Sequence, residues 1–456
     1  MSSFHLLGPF SFGVIGVIAL LIIVPYLRGK SDLLTTWNLF LVGSANFIGL
    51  AGVKAAYESE RFRILEYTNS DYELFMLGAV VFLTSLVLTY RFVKFPRRIA
   101  GRFFRKWPPS NSRTLYGMLL ISLVLAALAF KPPPIQGVAQ VVSHVGNKAT
   151  IIAVVLAFAA WCRSKSNLVL LATLLTVLLA GLLIGVLTGG GRRTILGVAI
   201  AIPIAYYWLE LRYRSPTTNI AVLGVTSFVM LLALGAYSTV RHFDRQGEKK
   251  ERNVANAMEA LLKIPKQMLN SDVDQLAGQN AAQTALAAIH VYTREEDPVP
   301  FHSVFYVGTI YIPRAFWPDK PKGLGYTLPK TVRAKGTRAT WGPNVIGHGF
   351  HEGGLHMLVF YGFLAAVALR FVDEMLVRQS TNPYLLAFVS ASSGHILGWT
   401  RGDIGTFTVQ IISAVLAILF VSWIGRLMFG TGVVYPRTDD PYFVNQNLFR
   451  QPVAYY

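Results

Sequence analysis

The feature that most constrains this chain is the recurrence of apolar runs as long as a bilayer is thick. A spanning helix needs about 20 mostly apolar residues. About eleven such runs occur, at 8–27, 33–53, 72–92, 115–130, 139–161, 168–188, 194–210, 220–239, 353–370, 383–400 and 404–426. The fifth is the weakest, because His144, Asn147 and Lys148 interrupt its first half. The first does not read as a cleavable signal peptide: it lacks a basic leader and a small-x-small cleavage site. The expected fold class is an all-α polytopic membrane protein. Helices at 1–239 and 353–426 flank one large loop at 240–352, and a tail follows at 427–456.

Composition supports this reading. Only 14% of the 456 residues are charged, against roughly 25% in an average soluble domain, which argues against a soluble multidomain enzyme. The balance is strongly basic, with 42 Lys and Arg against 23 Asp and Glu. In a soluble chain that would suggest nucleic acid. Here the charge must sit in loops, so anionic lipid headgroups and anionic substrates come first, and nucleic acid is not expected. The single cysteine, Cys162, excludes an internal disulfide and a Cys-based zinc site.

Short-loop Lys/Arg bias sets orientation. The loop 91–114 carries Arg91, Lys94, Arg97, Arg98, Arg102, Arg105, Lys106 and Arg113 and no acid. Counting spans from it, the loops with Arg28/Lys30, Arg163/Lys165, Arg212/Arg214 and Arg370/Arg378 fall on the same, cytoplasmic side. Three unusual polar segments then share the outer face: Gly189-Gly190-Gly191-Arg192-Arg193, the loop 240–352, and Thr400-Arg401-Gly402-Asp403.

The first half of the long loop reads as short helices, with 253–262 the clearest amphipathic run. Its second half is rich in Pro and aromatics. Between Tyr311 and Trp341 stand seven basic residues, Arg314, Lys320, Lys322, Lys330, Arg333, Lys335 and Arg338, and one acid, Asp319. Such a stretch is either a solvated basic loop or a formed groove. In a groove, Tyr311, Trp317 and Trp341 would stack on sugar faces and arginines would fork onto phosphate oxygens.

Arg192 and Arg193 follow three glycines where a helix begins, a place suited to phosphate or simply a flexible turn. His348, His351, Glu352 and His356 cluster where the loop re-enters the membrane. The spacing is not that of a zincin helix, since Leu355 stands where the second histidine is required, and no metal is assigned. A carboxylate or imidazole there could accept a proton from a sugar hydroxyl. Glu352 is the first choice for that base, His351 the second, with His348 beside them; ordinary interfacial polar residues are the alternative. Arg401 and Asp403 either pair with each other or serve a site. His395, inside the tenth run, is either a functional candidate of the same kind or a hydrogen-bonded core histidine. No nucleotide-binding pattern occurs, so a glycosyl donor used at the outer face would be lipid-linked and no cofactor is expected.

At this point the chain resembles a known family, the Wzy-type polymerases of bacterial surface polysaccharides. The resemblance rests on Thr188-Gly189-Gly190-Gly191-Arg192-Arg193, on Tyr311-Ile312-Pro313-Arg314-Ala315-Phe316-Trp317-Pro318-Asp319-Lys320-Pro321, and on Thr400-Arg401-Gly402-Asp403, within about 185–405. It implies a GT-C-like inner-membrane glycosyltransferase with its site facing the periplasm. The donor would be a growing glycan on undecaprenyl diphosphate, transferred to a new lipid-linked repeat unit. Arg192, Arg193, Arg314, Arg338 and Arg401 would hold the diphosphate, and Glu352 or His351 would deprotonate the acceptor. A chain-length regulator and a flippase are partners implied only by the resemblance. Two rivals stay open: an O-antigen ligase using the same donor, and a transporter or flippase of lipid-linked glycans. The absence of internal repeats weighs against the transporter.

Overall fold

The computed structural model describes residues 3–57, 65–104, 112–130, 138–187, 191–241, 278–314, 316–332 and 340–429, with isolated positions between 255 and 263. Among the described residues every regular element is helical. Apolar segments in lipid require this, because a crossing segment has no water to satisfy its backbone and must bond to itself.

In chain order the helices are α1 (Ser3–Leu27), α2 (Thr36–Tyr57), α3 (Asn69–Phe92), α4 (Phe95–Phe104), α5 (Ser112–Phe130), α6 (Val138–Arg163), α7 (Leu168–Leu187) and α8 (Gly191–Leu209). They continue with α9 (Pro216–Arg241), α10 (Ala281–Arg294), α11 (His302–Thr309), α12 (Leu324–Thr331), α13 (Asn344–Glu352), α14 (Leu355–Arg378), α15 (Pro383–Gly398) and α16 (Ile404–Phe429). Eight of the described helices, α1, α2, α3, α6, α7, α8, α14 and α16, are long and apolar enough to cross a membrane. The protein is therefore an α-helical polytopic membrane protein. The other three expected spans fall on α5 and α9, where the described apolar stretches run Arg113–Ala129 and Pro216–Leu232, and on α15, which has 16 residues. The amphipathic run expected at 253–262 is described only in part, and its described positions are helical. Residues 188–190, Arg338 and 430–456 lie outside the described residues.

α6 and α15 form the centre. α6 packs on α5, α7, α8, α15 and α16, and α15 also meets α2 and α8. Between α2 and α15 the backbones come so close that a Cβ on Gly43 would collide with the Leu397 carbonyl. A second group, α1, α3, α4 and α14, gathers round the other side of α2. Burial follows the same pattern: α6 is mostly enclosed, whereas α1 and α7 present most of their apolar surface outward, as lipid-facing helices do.

The five basic loops converge at one end. Lys165 pairs with Glu210 at 2.5 Å, and Arg212 with Asp32 at 3.3 Å. Asp373 accepts from Thr36 N at 2.7 Å, and Arg97 and Arg370 approach Glu374 at 3.7 and 2.8 Å. Beside them lies α4, whose basic residues and apolar residues occupy opposite faces, the pattern of a helix lying along an interface. The described part of the long loop caps the opposite end. There Gly278 N donates to Asn46 Oδ1 (3.0 Å), Arg294 meets Asp71 (3.0 Å), and Asn344 N donates to Arg401 O (2.9 Å).

Candidate functional site

α13 carries the densest chemistry, and all nine of its residues are buried. Four are polar: Asn344, His348, His351 and Glu352. A buried polar group is costly unless it is hydrogen-bonded, so each needs a partner.

Asn344 opens the helix with φ 64°, in the left-handed region that Asn tolerates. Its Nδ2 donates to Phe47 O at 2.6 Å, and its Oδ1 accepts from Ile346 N at 3.2 Å. Phe47 lies in a π-helical stretch of α2, Ala45–Leu50, a widening often found at functional sites. The loop thus grips α2 at Asn46 and Phe47, where the helix departs from α geometry. At the other end of α13, Gly353 and Gly354 take φ of 139° and 75°. These positive angles suit glycine and turn the chain so that α14 returns Tyr361 to Glu352.

Glu352 is fully engaged. Its Oε1 accepts from Ser303 N (3.0 Å) and Ser303 Oγ (2.5 Å), and its Oε2 accepts from Tyr361 OH (2.5 Å). Burial opposes its ionisation, but contact with His348 and the hydrogen bonds from Ser303 and Tyr361 outweigh that and hold its pKa below the ordinary glutamate value. His348 Nε2 receives the Ile404 N–H at 3.3 Å. A backbone N–H can only donate, so Nε2 carries the lone pair and the ring proton sits on Nδ1. That proton points at Ser303 Oγ, 3.2 Å away, and Glu352 Oε1 lies 3.7 Å from the same nitrogen. The result is a directed chain, His348 to Ser303 to Glu352, closed from the far side by Tyr361.

His351 is the exception. It is buried, and neither ring nitrogen has a hydrogen-bond partner among the described residues. Tyr292 and His302 enclose its ring, with centroids 4.5 and 5.0 Å away. Burial, then the neighbouring His348 and His302, push its pKa down to about 3. His302 is lowered too, chiefly by burial, and Tyr292 is pushed up to about 12 by burial and by Glu296. His351 is therefore a neutral imidazole with an available lone pair, walled by groups that hold their protons or lack charge. His356, the last of the sequence cluster, is exposed. Among the described residues, no group of three or more His, Cys, Asp or Glu is arranged to hold a metal ion.

The other sequence candidates separate. Arg401 joins the site through its backbone, and the Gly342 position packs so tightly against its carbonyl that a Cβ would be crowded. Asp403 accepts from Thr406 N (3.1 Å) at the start of α16 and from Gly325 N (3.3 Å), which ties the loop to that helix. Trp341 packs on Leu324, Leu328 and Ala288, and its backbone N–H donates to Gly325 O at 2.9 Å.

The Tyr311–Pro321 segment turns its polar groups inward. Arg314 Nη1 donates to Pro318 O (2.8 Å), and Lys320 Nζ donates to Ile310 O (2.7 Å) and Ile312 O (2.8 Å). Tyr311 OH contacts Ser413 Oγ at 2.9 Å, and Trp317 meets Phe305 edge-on at 5.8 Å. Ser413 is nine residues past Ile404, roughly 13 Å along the axis of α16. The segment therefore runs beside that candidate span, with its Ile312 and Phe316 exposed, as are Phe301, Val304 and Phe305 at α11. Irregular backbone at such a depth is tolerated only where its polar groups are satisfied by protein, and Lys320 and Arg314 do that.

A second polar cluster lies within the bundle. Lys148 of α6 is buried, with Nζ 3.0 Å from His395 Nδ1, and His395 meets Phe407 at 5.9 Å. A Cβ on Gly197 of α8 would touch Ile151 and lie near Ser390 O. α6 and α8 run in the same direction, since only a few residues separate α7 from either helix. The first turn of α8, with Arg192 and Arg193, is thus level with Lys148 and His395. The side chains of Arg192 and Arg193 lie outside the described residues, as does all of Arg338.

Sequence reasoning passed over Ser303, Tyr361 and Asn344 and took Lys148 as an interruption. Lys148 had a readable signal, a lysine inside an apolar run. The others had none, being ordinary residues far apart in the chain. No known protein family, curated protein or solved structure matches the chain.

Proposed function

We propose that the protein polymerises undecaprenyl-diphosphate-linked oligosaccharide repeat units at the outer face of the bacterial inner membrane. The reading takes the chain as a GT-C-like fold of eleven spans, with α5, α9 and α15 completing the eight longer helices and the α13 end facing the periplasm. The observation that carries it is His351: a buried, neutral imidazole without a hydrogen-bond partner, next to a network in which every other polar side chain of α13 is satisfied.

In this reading His351 accepts the proton of an acceptor-sugar hydroxyl. The acceptor oxygen bonds to the anomeric carbon of the donor glycan, the bond from that carbon to the diphosphate oxygen breaks, and the lipid diphosphate leaves with the electron pair. Glu352, tied to Ser303 and Tyr361, acts as a positioning residue that fixes α13 and the His348 ring. Lys148, Arg401 and the first turn of α8 supply positive charge for the leaving diphosphate. A chain-length regulator and a flippase would act beside it.

The test is reconstitution in liposomes with the host's lipid-linked repeat units and no nucleotide. A ladder of lipid-linked products, lost in His351→Ala and reduced in Lys148→Met, is the expected result. One unit added to a different acceptor would make the protein a ligase. Labelled lipid reaching the opposite leaflet without product would overturn the enzyme reading.

A further inference from the structure

At the end of the bundle opposite α13, a cleft of about 740 Å³ opens between α1, the start of α2 and the ends of α3 and α14. Its walls have two characters. One side is hydrocarbon, Val17, Leu20, Leu21 and Val24 on α1, and the mouth holds Arg28, Lys30, Arg91 and Arg370. Three acids also line it, and each is already matched. Asp32 faces Arg212 (3.3 Å) and Tyr207 OH (3.3 Å). Asp373 accepts from Thr36 N, Thr36 Oγ1, Trp37 N and Tyr90 OH. Glu374 faces Arg370 at 2.8 Å, with Arg97 and Arg378 at 3.7 Å. Arg28, Lys30 and Arg91 are exposed and have no carboxylate within ion-pair distance among the described residues.

We propose that this cleft binds one anionic phospholipid of the adjoining leaflet. Its phosphate would sit among Arg28, Lys30 and Arg91, and an acyl chain would lie along α1. The inference needs only that the bundle crosses a membrane and is independent of the catalytic reading. Three cations without partners at the mouth call for an anion. The apolar wall calls for that anion to carry a tail, because a soluble phosphate would leave the α1 face wet. That wall is continuous with the outward surface of α1, where Val17 is 57% and Leu20 63% exposed, so a lipid enters sideways without leaving its leaflet. The rigid floor comes from Trp37 stacked on Tyr90 at 4.0 Å and Arg370 over Tyr90 at 5.1 Å. Basic pockets between helices on the positively charged side are a general mode of anionic-lipid binding.

The experiment is native mass spectrometry of the full chain in detergent, titrated with dioleoylphosphatidylglycerol or dioleoylphosphatidylcholine. The expected result is one saturable phosphatidylglycerol adduct and no equivalent phosphatidylcholine adduct. Each cation removed should weaken binding about fivefold, so Arg28→Gln, Lys30→Gln and Arg91→Gln together should cost on the order of a hundredfold. Lys94→Gln, Arg98→Gln and Arg102→Gln together remove the same charge from exposed positions outside the cleft and should leave the adduct intact. Leu21→Trp, which fills the apolar wall without changing charge, should weaken it, and Arg28→Lys with Arg91→Lys should retain it. Undiminished binding in the cleft triple variant, equal loss in the control, equal phosphatidylcholine binding, or displacement by glycerol 1-phosphate at the affinity of the lipid would each overturn the proposal.

Discussion

Tyr361→Phe tests the network around Glu352 most directly. The substitution keeps the ring and its contacts and removes one hydroxyl, which donates to Glu352 Oε2 at 2.5 Å. Glu352 is 1% exposed, so no water replaces the lost donor. A hydrogen bond to a charged group contributes about 1.5–3 kcal/mol, and the variant should be destabilised by that amount, roughly ten- to a hundredfold in the unfolding equilibrium. The pH dependence sharpens the test. The Glu352 pKa is lowered in the folded protein, partly by this hydroxyl. Such a group contributes stability that is fully present above its unfolded pKa and is lost as pH falls through the folded one. The difference between wild type and variant should therefore be largest near neutrality and shrink on acidification. Unfolding titrations in mixed micelles, run at several pH values, read both quantities. A difference under about 0.5 kcal/mol at neutral pH, or one that grows as pH falls, would refute an ionised, tyrosine-held Glu352.

Asn344→Ala should destabilise by about 2–4 kcal/mol, because it strands the Phe47 carbonyl and puts at positive φ a residue that tolerates it less well than Asn. Asn344→Gly keeps the first penalty but avoids the second and should be milder; the reverse order in the same titration would count against the strained cap. Lys320→Met leaves two carbonyls without donors and should open the 310–321 segment to limited proteolysis, while Lys320→Arg keeps it closed; equal cleavage would deny Lys320 that role. With the proposed activity, the acid limb of kcat/KM should lie well below pH 6. Its base must be deprotonated, and His351 (about 3), His302 and Glu352 all have lowered pKa values, so each is ready throughout the neutral range. A limb between 6 and 7 in a pH–rate profile would point to an ordinary histidine instead.

The spans were legible because bilayer thickness imposes a length and a composition that no tertiary context changes. α15 shows the limit of that rule: it has only 16 residues, nearly all of them buried among other helices. The two-ended charge pattern was legible too, since Lys165–Glu210, Arg212–Asp32 and Arg97–Glu374 join the loops that Lys/Arg bias had grouped. The site was legible only as a neighbourhood. His348, His351 and Glu352 stand close in sequence, but their roles depend on Ser303, Tyr361 and Ile404, which the fold brings in from separate segments. Sequence puts Glu352 first as the base, and its three donors become visible only in the structure. The proposed role of His351 rests on its lack of a hydrogen-bond partner among the described residues, which leaves no mark in a sequence.

The two ends of the bundle use charge in different proportions. At the basic end most charged side chains pair with one another, as Lys165 does with Glu210 and Arg212 with Asp32, and Asp373 takes the first N–H groups of α2. At the α13 end the chain continues as irregular backbone packed beside α16, where N–H and C=O groups need protein partners. Side chains supply them: Asp403 accepts from Thr406 and Gly325, Asn344 donates to Phe47, Lys320 to Ile310 and Ile312, and Arg314 to Pro318. The basicity between Tyr311 and Trp341 therefore mixes two kinds of cation. Of its seven basic residues, Lys320 and one nitrogen of Arg314 already hold backbone in place, so under the proposed function less charge would meet a diphosphate than the sequence count suggests. Arg314→Ala should then impair folding of the loop before it impairs donor binding, whereas Lys148→Met should do the reverse. Equal losses of donor affinity in both, with the loop intact in each, would show that Arg314 reaches the substrate after all.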